Sequence, residues 1–378
     1  MKIFDFIDIK YDNIFMKKNI VHLISLSIMH LLVDFMCVAT LYHFAYQGGH
    51  KDNQVIVATV FLTYNCLAFL LQPLFGLLVD KFGSWNKYGF NKGLVMASVL
   101  TTLLGAFLVL LEIHFANQIW FFIPGTILLG MGNALFHVTG GKVSLKMSNK
   151  ATPGGIFVST GAIGLGIAAI LHGEVEYFYY FIAPALLIVC SLIHVFTPVE
   201  ISDKPFEPYE HKSIKAYVLV IIVLCVAVAV RSFVGFYYEK PEGMDTLQAI
   251  MLLATMACLG KALGGLIMDL LGPYVLIGLS TVSGIVLSFF LKNQVVVYFF
   301  IFSFNLLMPL TLDALRRLFP NKEGFAFGLA AAFLIPGYLT AMLLQGQGIQ
   351  MVVLPIICLL TGGALIPVYL INEHHINI

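Results

Sequence analysis

The chain has 378 residues, of which 60% are hydrophobic and 11% charged, with a mean hydropathy of +0.93 and a formal net charge of +1. A soluble domain carries about 25% charged residues, so the composition excludes a water-soluble globular protein and a disordered chain, and near-neutrality leaves no basic face for a nucleic acid. What remains is an all-α integral membrane protein: twelve spans of about 20 apolar residues would consume about 240, leaving short connections and no soluble domain.

The first eighteen residues are broken by Asp5, Asp8, Lys10 and Asp12 and offer no apolar core for a cleavable signal peptide. Ile3, Ile7, Tyr11 and Ile14 would share one helix face, so 1–18 is expected as a cytoplasmic segment along the membrane surface. Apolar stretches then predict twelve transmembrane helices over 19–46, 54–79, 93–112, 119–141, 154–172, 177–197, 215–238, 246–268, 274–291, 294–315, 324–344 and 349–371. This divides the chain into a six-helix bundle (19–197), a polar cytoplasmic linker (198–214), a second six-helix bundle (215–371) and a cytoplasmic tail (372–378).

Charge fixes the orientation. Sixteen of the 21 Lys and Arg residues fall in the amino-terminal segment and alternate loops, from Lys2 to Lys322, while the opposite loops hold only Lys51, Lys240 and Lys292. That bias keeps its phase along the whole chain and predicts that both termini are cytoplasmic. Arg231 and Lys261 are left inside apolar spans and need a reason to be there. The six cysteines lie in apolar runs without C-x-x-C spacing and read as small packing residues.

The halves repeat. Gly76-Leu-Leu-Val-Asp80-Lys81-Phe-Gly83 follows span 2, and Gly265-Leu-Ile-Met-Asp269-Leu-Leu-Gly272 follows span 8. Asn133 to Lys150 (NALFHVTGGKVSLKMSNK) lies over Asn305 to Lys322 (NLLMPLTLDALRRLFPNK) without a gap. Two parallel six-span repeats form a transporter architecture with its substrate site between the halves near the midplane.

These features resemble the major facilitator superfamily across essentially the whole chain. Gly76, Asp80, Lys81 and Gly83 match that family's cytoplasmic loop motif, and the resemblance implies that the aspartate caps a neighbouring helix while the glycines permit close helix approach; Gly265, Asp269 and Gly272 repeat it. Ser84-Trp85 replaces the basic pair that usually follows, and Thr126 stands where many proton-coupled members carry a span-4 arginine. Coupling through that arginine is therefore excluded. A narrower pattern, His30-Leu-Leu-Val-Asp34, Asn133-Ala-Leu-Phe-His137 and Arg231-Ser-Phe, resembles the fosmidomycin-resistance-like efflux permease branch, although Val138 replaces its usual proline.

The intramembrane polar residues carry the chemistry. Asp34 lies near the bilayer centre, where a carboxylate costs about 2.5–3.5 kcal/mol unless paired or hydrated, and His30 sits one turn earlier on the same face. The pair is expected to couple protons, against the alternative that it only packs span 1. Arg231, in the span that repeats span 1, is expected to grip a carboxylate or phosphonate by two parallel hydrogen bonds, against a permanent Asp34–Arg231 charge pair. Lys261 lies about 12 Å from the Asp269 end and divides between substrate contact and snorkelling. Asn133, His137 and Asn305 complete the substrate-binding candidates; for His137 a neutral, backbone-bonded histidine is the rival reading. No H-x-x-x-H or carboxylate cluster marks a metal site, no phosphate loop is present, and no cofactor is called for.

The sequence thus predicts a monomeric secondary transporter with a small-molecule substrate and a proton or other coupling ion, exporting a small anionic or amphipathic organic compound across a prokaryotic cytoplasmic membrane. Import of an organic anion is the nearest rival. A membrane-embedded enzyme would need clustered carboxylates or histidines at one interface, and a sensor would add a soluble output domain.

Overall fold

Between Lys92 and Leu111 the outward face is made of large apolar side chains, while polar ones are among those buried. Ser98 and Thr102 are buried, whereas Leu100, Leu104 and Phe107 point outward and are half exposed. Only a lipid surround makes that arrangement cheap, since apolar surface needs no shelter there and backbone polar groups must be satisfied within the helix.

The computed structural model describes residues 3–47, 52–82, 89–114, 119–171, 178–197, 213–237, 246–344 and 353–373. Among them every regular element is helical: α1 (Ile3–Gln47), α2 (Gln54–Asn65), α3 (Gln72–Phe82), α4 (Gly89–His114), α5 (Ile119–Lys146), α6 (Thr152–Leu171), α7 (Ala183–Phe196), α8 (Ile214–Tyr237), α9 (Thr246–Leu271), α10 (Pro273–Ser288), α11 (Gln294–Asn305), α12 (Met308–Leu318), α13 (Glu323–Ala332), α14 (Leu334–Leu344) and α15 (Val353–Glu373). A π-helical turn, Cys66–Leu70, joins α2 to α3, and another, Phe178–Ile182, leads into α7. Starts are set by local chemistry: the Asn53 and Asn293 side chains accept from the Ile56 and Val295 amides, and Pro273 opens α10 directly after Gly272, whose φ of +86° suits glycine.

Among the described residues, ten helical stretches are long and apolar enough to cross a membrane, and Pro273–Ser288 and Val353–Tyr369 are shorter apolar helices at the expected positions of spans 9 and 12. The segment 1–18, expected as a separate surface element, is helical from Ile3 and continuous with span 1, because no glycine or proline breaks the run. The linker expected at 198–214 falls almost entirely outside the described residues, as do Gly83 and the tail from 374 onward.

Within the first part of the chain α4 packs on α5, and α1 packs on α6 and α7; within the second, α8 packs on α14 and α10 on α15. Between the parts α6 lies along α9, and α13 lies against α3 and α5. At the α3–α13 crossing a Cβ on Gly76 would collide with the Gly324 carbonyl, so the two backbones touch there.

Candidate functional site

Two polar layers sit between the two parts of the chain. The first lies at the end bearing Asp80 and Asp269. The Asp80 carboxylate accepts from the Gly324 and Phe325 amides at 3.1 and 2.8 Å, in the first turn of α13, and pairs with Lys142 Nζ at 3.1 Å. Asp269 accepts from the Ala151 and Thr152 amides, both at 2.8 Å, and from the Thr152 hydroxyl, at the start of α6. Each carboxylate thus satisfies amides that have no partner within their own helix and sits at the positive end of that helix. Gly265 lies beside Asp269's contact, where a Cβ would come 2.9 Å from Thr152 Cα. Lys81, the motif's basic residue, stands over the Phe82 ring at 5.7 Å.

Four buried residues that the sequence does not single out, Lys142, Asp313, Arg316 and Glu323, join this layer. Lys142 also donates to Val79 O at 3.1 Å. Arg316, 1% exposed, donates to Leu145 O and Ser148 O at 2.7 and 3.0 Å and pairs with Asp313 at 2.5 Å. Asp313 also takes Arg317 at 2.7 Å, and Lys146 pairs with Glu323 at 3.3 Å. Lys142 and Arg316 had been counted as loop charges; they are helical and buried, because each neutralises a carboxylate or a helix end belonging to a neighbour. The spacing of Asp313 with Arg316 and Arg317 was the available signal, since residues three and four apart share a helix face.

The second layer is the centre. His30 Nε2 lies 3.3 Å from Asp34 Oδ2, His137 Nε2 lies 3.5 Å from Asp34 Oδ1, and the two Nε2 atoms are 2.9 Å apart. Asn133 Nδ2 donates to Asp34 Oδ1 at 3.1 Å. Four candidates from spans 1 and 4 are thus gathered into one buried cluster, walled by Phe157, which stacks on His30 at 4.6 Å, and by Phe136. Nδ1 of His30 donates to Phe157 O at 2.6 Å and Nδ1 of His137 to Asn133 O at 2.9 Å. His30 Nε2, His137 Nε2 and an Asp34 oxygen form a group able to hold a metal ion.

Arg231 is elsewhere. It is 7% exposed on α8 and makes no hydrogen bond or ion pair with any described residue; in particular it does not meet Asp34. Lys261, half-buried on α9, is likewise without a hydrogen bond and lies within electrostatic reach of Arg231, Asp34 and His137. Asn305 is not brought in: its amide donates to Ile301 O of its own helix at 2.9 Å. Among the described residues, the second part of the chain thus carries two intramembrane cations without a hydrogen bond, of which Lys261 lies within electrostatic reach of the carboxylate–imidazole cluster on the first.

The family model described as Major Facilitator Superfamily matches residues 23–341. No curated protein sequence matches the chain. Among solved structures, the chain is similar to the E. coli fucose:proton symporter FucP, at 11% identity and TM-score 0.63 over 94% of this chain and 99% of that one. FucP in the outward conformation aligns equally well, at 11% identity and TM-score 0.63 over 93% and 99%. A bacterial homologue of the iron transporter ferroportin in an outward-facing state aligns at 12% identity and TM-score 0.55 over 92% and 98%. These likenesses concern the fold. With the family model covering most of its length, the chain belongs to the Major Facilitator Superfamily: it is an integral membrane protein whose fold implies secondary transport of a small molecule and points away from an enzyme.

Proposed function

We propose that the protein exports a small anionic or amphipathic organic compound in exchange for protons, by alternating access around the central layer. The observation that carries this is Arg231, a buried guanidinium without a hydrogen-bond or ion-pair partner among the described residues. An arginine stripped of water needs an anion, and its planar fork fits a carboxylate or phosphonate. Lys261 adds a second positive charge within reach. Asn133 and His137, first taken as substrate contacts, serve this scheme by holding Asp34.

The coupling seat is the Asp34 cluster. With Nδ1–H of His30 and of His137 committed to backbone carbonyls, both Nε2 atoms and the carboxylate present lone pairs to one another. One added proton relieves that repulsion, and its departure restores it.

The topology in this scheme has twelve spans, α10 and α15 included, two six-helix bundles joined at 198–214, and cytoplasmic termini. The Asp80 and Asp269 caps then close the cytoplasmic end, and the molecule faces outward. Export rests on the resemblance of His30/Asp34, Asn133/His137 and Arg231 to the fosmidomycin-resistance-like branch. Purified protein in proteoliposomes tests the scheme: an imposed pH difference should drive uphill movement of an organic anion that also raises thermal stability. Ligand-independent conductance that never saturates, or the absence of any stabilising organic anion, would count against it.

A further inference from the structure

The lone-pair geometry that suits a proton also suits a larger cation. His30 and Asp34 come from α1 and His137 from α5, so ligand atoms of three residues on two helices converge within 4.8 Å of one another: the two Nε2 atoms are 2.9 Å apart, His30 Nε2 is 3.3 Å from Asp34 Oδ2, and His137 Nε2 is 3.5 Å from Asp34 Oδ1. A metal about 2.0–2.1 Å from each ligand spreads them about 2.9 Å apart at a right angle and about 3.3–3.4 Å apart at the tetrahedral angle. The Nε2–Nε2 and His30–Asp34 Oδ2 separations already match those edges, and His137 meets the other oxygen of the same carboxylate at 3.5 Å. Its outer contacts are also those of a built site. Each histidine's second nitrogen is anchored on a backbone carbonyl, which fixes the tautomer with Nε2 unprotonated and the ring orientation. The carboxylate is held from the side by Asn133 Nδ2.

Two further observations point to an occupant. Asn133 Oδ1 is buried beside the cluster with no hydrogen-bond partner, an oxygen that a cation or its bound water would satisfy. On the facing helix, a Cβ at Gly161 would strike Asp34 Oδ2 and His30 Nε2, so α6 presents bare backbone where any side chain would intrude on the ligand atoms.

We infer that His30, Asp34 and His137 form a binding site for a divalent first-row transition-metal ion, with two imidazole nitrogens and one carboxylate oxygen as protein ligands. Two neutral imidazoles select against Mg2+ and Ca2+, which prefer oxygen ligands, and favour Fe2+, Co2+, Ni2+ or Zn2+. The metal takes the seat assigned above to the proton, so the two compete; metal binding is measured by itself and stands whether or not protons drive transport.

The test is titration of the purified full-length protein with Co2+, read by calorimetry and by visible absorption. One equivalent should bind with the band intensity of a four- or five-coordinate ion. His137→Gln should weaken that site at least about 100-fold and Asp34→Asn at least about 10-fold, while His374→Ala/His375→Ala leaves it intact and so separates it from the tail histidines. Thermal unfolding controls for folding of each variant. X-ray absorption on the Zn2+-loaded unsubstituted protein should show two imidazole shells, a readout that needs no variant. Absence of a stoichiometric site, a site that survives both ligand substitutions, or a shell without imidazole overturns the metal. Intact pH-driven flux without Co2+ binding refutes the metal site alone; Co2+ binding without pH-driven flux supports it and refutes the proton alone.

Discussion

Asp80 and Asp269, 189 positions apart at matching places in the internal repeat, cap reciprocal helices: Asp80 holds the first amides of α13 and Asp269 those of α6. Each carboxylate crosses from its own part of the chain to the other. The contacts are interlocking, and opening this end means removing both.

Asp80→Asn and Asp269→Asn should therefore shift the protein away from the closed arrangement. Each loses charge at a helix N-terminus, worth about 0.5–2 kcal/mol, and Asp80 also loses its pair with Lys142. Spin-label distances across the Lys146–Glu323 contact should lengthen in a larger fraction of molecules for Asp80→Asn than for Asp269→Asn, with transport slowed in both. Identical distance distributions in variant and parent would deny the caps any conformational role.

Removing one partner of the Asp313–Arg316 pair should be the most damaging single change at this end. Arg316 is buried and also holds the carbonyls of Leu145 in α5 and Ser148 just after it. Asp313→Asn removes the carboxylate paired with that buried charge, with an expected loss of about 3–5 kcal/mol, visible as a large drop in detergent-solubilised melting temperature. A drop of under a degree would mean that water or lipid head groups replace the carboxylate.

Arg231→Lys keeps the charge and loses the two-donor fork. A charge-assisted hydrogen bond contributes about 1.5–3 kcal/mol, so anion affinity measured by ligand-induced stabilisation should fall about 10–100-fold. Normal binding by Arg231→Lys together with failed binding by Lys261→Gln would move the anion site to Lys261.

Asp34→Asn should abolish flux driven by an imposed pH difference while substrate counterflow persists. The substitution preserves shape and removes the negative charge that draws a cation between His30 and His137. Uphill accumulation by the variant under a pH difference would transfer coupling to the histidines or to another ion.

Single cysteines at Lys150 and Lys322 should label from the cytoplasmic face and one at Lys292 from the opposite face. Labelling of any one from the other side would break the twelve-span phase derived from loop charge.

The all-helical membrane character was legible in the sequence because partition into lipid is decided nearly residue by residue: a run such as Leu94 to Leu111 must be buried or lipid-facing whatever surrounds it. The family motif was legible for a related reason, since a glycine and an aspartate four apart mark one helix face. What only the tertiary structure decided is which polar groups meet. His137 lies 103 residues from Asp34 and joins it through the packing of α5 on α1. Lys142 and Arg316 looked like loop charges and are buried ties because Lys142 meets Asp80 of α3 and Arg316 reaches the Leu145 and Ser148 carbonyls at the end of α5. Arg231 and Asp34, which charge alone would pair, stand apart because Asp34 already has His30, His137 and Asn133 around it. Hydropathy is a property of each segment, whereas these contacts belong to pairs of segments, and helix packing alone sets their distances.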